Sequence, residues 1–130
     1  MKKLKLIRIL EYYDVPQLFI ADDASGIHYL CLLYNIEDDG ELKTIAVSVS
    51  PSRLNEFIKG HIDLLSVFSN PETGYSLYDI KMKEDALYAH RFSNRLSQSM
   101  LPDEGYYFHD SSNENDTNIY SELACKSADI

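Results

Sequence analysis

The sequence of 130 residues has little of what marks several large protein classes. With only two cysteines, it offers neither a disulfide framework nor a cysteine-rich metal site. A membrane-spanning helix needs roughly 20 apolar residues, and the longest apolar stretch, residues 29–34, has only the length of a strand. The five glycines are isolated, which excludes a glycine-rich phosphate loop. One globular domain is expected, because 45% hydrophobic and 12% aromatic residues are enough to fill a core.

Catalytic motifs are missing as well. The four histidines form no HxH, HxxxH or HExxH arrangement, so no zinc site is predicted. There is no Gly-x-Ser-x-Gly nucleophile motif. The carboxylate pairs at residues 22–23 and 38–39 both fall in predicted turns, where neighbouring acids are normally solvated. We therefore predict no catalytic residue, no metal and no cofactor.

The protein is acidic, and its charge is unevenly distributed along the chain. The 21 acidic residues outnumber the 12 basic ones and give a formal net charge of −9. The first ten residues hold four bases and no acid, whereas residues 101–130 hold seven acids and one base, Lys126. Because an acidic surface repels phosphate, neither nucleic acid nor an anionic membrane is expected as a direct partner. A protein partner with a basic surface is compatible with this charge.

The basic start of the chain is not expected to be a signal peptide. Lys5 and Arg8 interrupt its apolar part and Glu11 follows, whereas a signal sequence needs about 7–15 uninterrupted apolar residues. We expect a cytoplasmic protein. The cysteines agree, because Cys31 lies in an apolar run and is predicted to be an inert core thiol, while Cys125 lies in a polar segment.

The first half of the chain reads as antiparallel strands. Apolar and β-branched residues mark four strands separated by turn-forming residues. The pair Asp39-Gly40 has the composition of a tight hairpin turn. His28, at the start of the third strand, is expected on the surface. These strands are predicted over residues 3–12, 17–21, 27–36 and 42–49.

Helix signals follow the fourth strand. Ser50 is placed to cap a helix, and Pro51 suits its first position. The apolar spacing after it predicts one main helix over about residues 51–59, and Asp63 is placed to cap a short second helix. The fold class is therefore α+β, with an antiparallel meandering sheet of about five to six strands and these two helices. The last two strands are predicted over residues 74–82 and 86–92. The alternative for residues 86–101 is a helix, because Leu87, Ala89, Phe92, Leu96 and Met100 also fit a helical stripe.

The composition changes near residue 110. Residues 1–109 are predicted to form a single α+β domain. Residues 110–130 are predicted to be an acidic polar tail, because they contain too few apolar residues to order themselves alone. Ile119, Tyr120 and Leu123 are the apolar residues through which the tail is predicted to contact another protein.

Tyrosine is abundant where tryptophan is absent. The ten tyrosines include two adjacent pairs, at residues 12–13 and 106–107. On a strand, one member of each pair faces solvent, and exposed tyrosine is a preferred interface residue. Tyr13, Tyr106 and Tyr107 are therefore candidate protein-binding residues. The alternative is ordinary sheet tyrosine with its hydroxyl in water.

Several segments, taken in order, resemble a family of small uncharacterised bacterial domains. The shared pattern is a Pro-x-Leu-Phe strand, a Tyr-Leu strand, a helix and a Gly-x-Ile-Asp-Leu segment that ends in Asn-Pro. In this chain the pattern falls at residues 16–19, 29–30, 60–64 and 70–71. The resemblance covers about residues 10–108 and implies a single α+β domain of bacterial origin, with no settled activity and no defined catalytic residues.

Three functions follow as hypotheses. The leading one is a non-enzymatic protein-binding module with an accessory, immunity-type or antitoxin-type role in a bacterial system, because catalytic motifs are missing and tyrosines are paired. The second is a small enzyme or enzyme subunit, since an arginine beside a histidine can hold a phosphate or carboxylate. The third is an acidic mimic of nucleic acid. The residues of the enzyme hypothesis are His90, Arg91, Arg95 and His109.

Overall fold

The computed structural model describes residues 1–84, 86–92 and 96–109. Arg95 and the tail residues Ile119, Tyr120 and Leu123 lie outside the described residues, so the roles predicted for them stay predictions. The described residues form six strands, two short helices and one 3-10 turn. These elements are β1 (Lys2–Tyr13), β2 (Val15–Asp23), β3 (His28–Ile36), β4 (Leu42–Val49), α1 (Pro51–Ile58), α2 (Leu64–Ser69), β5 (Leu77–Lys83), β6 (Ala86–Arg91) and the 3-10 turn Gln98–Met100.

The six described strands form a closed antiparallel barrel in chain order. The predicted antiparallel meander is confirmed, as are the two helices, although helix makes up only a small part of the fold. The closure of this sheet into a barrel was not predicted, and it arises because β6 returns to pair with β1. The right-handed twist of an antiparallel sheet brings its edges together, and small interior side chains allow the tight curvature. The small interior residues include Ala21, Ala46 and Ala89.

The protein has two hydrophobic cores, because successive side chains of each strand point to opposite faces of the sheet. The inner core receives residues from all six strands and therefore lies inside the barrel. The outer core lies on the opposite face of β2, β3 and β4 and is covered by the two helices. Cys31 belongs to the inner core, which confirms its predicted core position, and burial raises the pKa of its thiol. The inner core comprises Leu4, Phe19, Ala21, Tyr29, Cys31, Ala46, Ile80 and Ala89.

Side-chain caps hold both helices in place. The Ser50 hydroxyl accepts a hydrogen bond from the Arg53 amide at 3.1 Å, and Pro51 occupies the first turn of α1, as predicted. Ser50 also donates through its own hydroxyl to the Glu72 carboxylate at 2.7 Å. Asp63 caps α2 by accepting from the Ser66 amide at 3.1 Å. The loop after α2 is thereby connected to the start of α1.

The segment after β6 returns across the helices. Of the three aromatic residues 106–108, only Phe108 enters the outer core. Phe108 is buried, with its ring centroid 5.8 Å from that of Phe57. Gly60 has a φ of +77°, and a Cβ there would lie 3.1 Å from the Phe108 carbonyl oxygen. Glycine is therefore needed at this position both for its backbone conformation and for space.

Two substitutions test the helix assignment. Phe57→Ala should lower the free energy of unfolding by about 3–5 kcal/mol, because the ring is fully buried between α1 and the sheet. Ser50→Ala should lower it by about 0.5–2 kcal/mol, through loss of the cap. Urea unfolding of the full chain measures both. Equal costs close to zero would contradict the packing described here.

Candidate functional site

A buried polar cluster closes one end of the barrel, where β1 begins and β2 ends. The Asp23 carboxylate accepts a hydrogen bond from the Tyr29 hydroxyl at 2.8 Å. It also accepts from the backbone amides of Ser25 at 2.8 Å and Ile27 at 3.1 Å. The Lys2 ammonium lies 3.6 Å away. Burial opposes ionisation of Asp23, but these bonds and Lys2 outweigh it, and the pKa of Asp23 falls below its usual value.

The expectation of solvated carboxylates at residues 22–23 is wrong. Strand β2 continues to Asp23, so both carboxylates are buried at the end of the sheet instead of lying in the turn. The expectation of an exposed His28 is wrong for the same reason. His28 is the cross-strand partner of Asp22, and its Nδ1 lies 2.6 Å from an Asp22 carboxylate oxygen. A buried carboxylate is stable only with such partners, and this partnered polar cluster closes this end of the barrel.

The opposite end of the barrel is open. A cavity of about 620 Å³ lies there, between β1 on one side and the β5–β6 hairpin on the other. We call this end the mouth. Its walls are mainly apolar, with Lys3, Lys5 and Glu84 as the charged residues. The remaining lining residues are Leu4, Leu6, Pro16, Phe19, Leu42, Thr44, Ile80, Met82, Ala86 and Leu87.

Large apolar side chains are exposed around the mouth. Leu6 is 43% exposed and Met82 is 62% exposed, and both line the cavity. Ile9, further along β1, is also exposed. Apolar residues in an alternating strand pattern normally indicate a core, so the sequence alone does not reveal that these side chains are exposed. Exposed apolar patches with a concave centre are typical of binding surfaces.

The β1–β2 hairpin extends from the same end and carries the first tyrosine pair. Tyr13 is 77% exposed at its tip, as predicted for a binding residue. The Tyr12 hydroxyl donates to the Asp14 carbonyl at 2.9 Å, and the Gln17 amide group donates to the Tyr13 carbonyl at 3.0 Å. Asp14 has a φ of +64° in this tight turn. Local hydrogen bonds therefore hold the tip in one shape.

The second tyrosine pair lies on the outer side of the barrel. The Tyr106 hydroxyl donates to the Glu11 carboxylate at 2.8 Å. Burial and this bond raise the pKa of Tyr106 to about 12. Tyr107 is about half exposed. Tyr106 thus has a structural bond to β1, whereas Tyr13 and Tyr107 present more surface to a partner.

The residues of the enzyme hypothesis do not all converge in the described part of the chain. His90 and Arg91 line a small cavity of about 350 Å³ at the end of β6, where His90 pairs with Asp79 across the sheet. His109 follows Phe108 and is not among the residues that line this cavity. No group of three His, Cys, Asp or Glu residues within the described ranges is placed to hold a metal ion.

Comparison with known proteins places the chain in a family. A model described as a family of unknown function matches residues 1–128. The chain belongs to this family, DUF6575. The match confirms the prediction of a family without a settled function, and no curated protein or solved structure matches the chain. No helix in the described part of this DUF6575 chain is long and apolar enough to cross a membrane.

Acid unfolding tests the polar cluster. Because the pKa of Asp23 is lowered in the folded state, its stabilisation is complete above the unfolded-state pKa of about 3.9 and is lost as the pH falls through the folded-state value. Asp23→Asn should lower stability at pH 7 by about 1–3 kcal/mol and reduce the loss of stability below pH 4. Asp38→Asn, in the exposed β3–β4 turn, is the control and should leave both unchanged.

Thermal unfolding of the three proteins between about pH 2 and pH 7 measures this difference. If the Asp23→Asn protein lost stability with acid as steeply as the wild type, the carboxylate would not be ionised within the cluster as described.

Proposed function

We propose that this DUF6575 protein is a non-enzymatic protein-binding module that binds its partner at the mouth of the barrel. The observation that carries the proposal is the exposed apolar surface there, formed by Leu6, Ile9 and Met82 around an open cavity. Leaving large apolar groups in water is unfavourable, and patches of this kind normally become buried in a complex.

The β1–β2 hairpin supports a protein as the partner. Tyr12 and Tyr13 extend beyond the cavity and offer a large contact area on a turn already held by hydrogen bonds. Aromatic side chains on a preformed loop lose little conformational entropy on binding. A small-molecule site would use the cavity alone and leave these tyrosines without a role.

Charge supports a partner with a basic surface. The acidic β3–β4 turn, with Glu37, Asp38 and Asp39 exposed, lies at the same end of the barrel as the mouth. A basic patch facing this turn would gain electrostatic attraction and faster association.

The biological role proposed is accessory, immunity-type or antitoxin-type, in the cytoplasm of a bacterium. Proteins in such roles act by covering a surface of their partner and need no catalytic group of their own. The missing catalytic motifs support this role, and the small number of cysteines supports the cytoplasm. The nucleic-acid mimic is less well supported, because two of its carboxylates, Asp22 and Asp23, are buried.

Affinity capture from host cells with mass spectrometry tests this function. Tyr13→Ser and Met82→Glu should each reduce recovery of the partner at least tenfold, because both side chains are exposed at the proposed contact. Thr73→Glu places a carboxylate at an exposed site between α2 and β5, which does not line the cavity, and it should bind normally. All three variants should keep the wild-type melting temperature.

The opposite pattern would contradict the proposal. Partner recovery that survives Tyr13→Ser and Met82→Glu would place the contact elsewhere. A cellular phenotype that is lost in His90→Ala, with the complex intact, would favour the enzyme hypothesis.

A further inference from the structure

The interior of the barrel is filled at its closed end and hollow at its mouth. At the closed end, the Tyr29 ring is fully buried and its hydroxyl donates to Asp23. Towards the mouth, the inward side chains leave the cavity of about 620 Å³. Most of its wall consists of residues that strand alternation directs into the barrel. They are Leu4 and Leu6 of β1, Phe19 of β2, Leu42 and Thr44 of β4, Ile80 and Met82 of β5, and Leu87 of β6.

The size and the wall of this cavity suit a ligand with an apolar body. Ligand cavities in proteins usually measure roughly 300–1,000 Å³ and are lined mainly by apolar side chains. Water in an apolar cavity finds few hydrogen-bond partners, so its replacement by a hydrocarbon group is favourable. Thr44 is the one uncharged polar side chain among the lining residues. The cavity therefore offers an apolar ligand burial and few competing polar contacts.

Two lysines give the lining of the cavity an excess of positive charge. Lys3 and Lys5 are among the lining residues, and both are exposed. Neither ammonium group forms an ion pair with another described residue. Glu84 is the one acid of the lining, so two bases and one acid leave a local charge of +1 in a chain of net charge −9. A charged group of a ligand at this place is thus favoured if it is an anion.

We propose that the cavity binds a single-chain amphipathic anion of the fatty carboxylate class. The hydrocarbon chain fills the apolar space between the strands. The carboxylate stays in contact with water beside Lys3 and Lys5. This inference goes beyond the proposed function, because the tyrosines of the β1–β2 hairpin keep the protein contact while the ligand occupies the space behind it.

Both parts of such a ligand are needed to match the lining. A compact anion leaves the apolar wall in contact with water, and exposed lysines alone hold an anion weakly. A neutral hydrocarbon is buried equally well but gains nothing from Lys3 and Lys5. Apolar side chains of the partner protein are the alternative occupant of the same space. They differ from the proposed ligand in that no free amphiphile would then bind to the isolated protein.

Isothermal titration calorimetry of the delipidated full chain tests the proposal. The probe is dodecanoate, kept below the concentration at which it forms micelles. Decanoate has the same head group and two methylene groups fewer. Dodecyltrimethylammonium has the same chain length and the opposite charge, and acetate has the charge without the chain.

The proposal predicts an ordered series of affinities with one site per chain. Decanoate should bind about tenfold more weakly than dodecanoate, because two fewer methylene groups are buried. Dodecyltrimethylammonium should bind at least tenfold more weakly than dodecanoate, and acetate should show no measurable binding.

Substitutions place the binding in the cavity. Lys3→Glu and Lys5→Glu together should weaken dodecanoate binding about tenfold and strengthen binding of dodecyltrimethylammonium. Leu6→Glu should weaken dodecanoate binding at least tenfold, because it places a carboxylate in the apolar wall. Lys59→Glu makes the charge change at the exposed end of α1, and Thr73→Glu introduces a carboxylate away from the cavity. Both controls should bind dodecanoate like the wild type.

Three results would overturn the inference. The first is no binding of dodecanoate up to about 1 mM, which would leave the cavity to side chains of the partner. The second is equal affinity for dodecanoate and dodecyltrimethylammonium, which would show that the lysines do not select the head group. The third is an equal effect of the double lysine variant and of Lys59→Glu.

These outcomes are separate from those of the proposed function. Capture of a partner that depends on Met82, without binding of dodecanoate, would preserve the proposed function and remove the ligand. Binding of dodecanoate as predicted, with capture that survives Met82→Glu, would preserve the ligand and remove the proposed protein contact.

Discussion

Three residue pairs between β1 and β6 close the barrel, and the arrangement of both its ends depends on them. The pairs lie at the end where Lys2 also approaches Asp23, so closure and the polar cluster support each other. Because β6 begins at Ala86, the two strands separate beyond Leu4. The cavity and the exposed apolar side chains at the mouth both follow from this short β1–β6 pairing.

The two ends of the barrel differ in the side chains that they bury and expose. At the closed end, the Asp23 carboxylate lies within reach of two backbone amides, the Tyr29 hydroxyl and the Lys2 ammonium. Tyr29 also packs edge-on against Tyr78, with ring centroids 5.2 Å apart. A buried carboxylate is tolerated only with such partners, so this end is fixed in one geometry. At the mouth, Leu6 and Met82 remain exposed instead. A rigid closed end and an apolar open end suit a scaffold that binds a partner at one place.

Local features of this fold could be predicted from the sequence, whereas long-range ones could not. The strands, the Ser50 and Asp63 caps and the core position of Cys31 depend on residues close in the chain, and they are confirmed. Barrel closure pairs the first strand with the last, which no local pattern encodes. The burial of His28 with Asp22 was missed because it depends on the exact end of β2.

At the candidate site, the exposure of Tyr13 was predicted from the tyrosine pair, but Leu6 and Met82 carry the same signal as core residues.

Amide hydrogen exchange of the full chain without ligand tests the short β1–β6 pairing most directly. NMR resolves each amide of β1, and those directed at β6 are the informative ones. We predict strong protection for such amides within Lys2, Lys3 and Leu4, and faster exchange for such amides of Lys5 and Leu6, which line the cavity and have no partner in β6. Equal, strong protection of these amides from Lys2 to Leu6 would mean that the β1–β6 pairing extends beyond Leu4, and it would contradict this prediction.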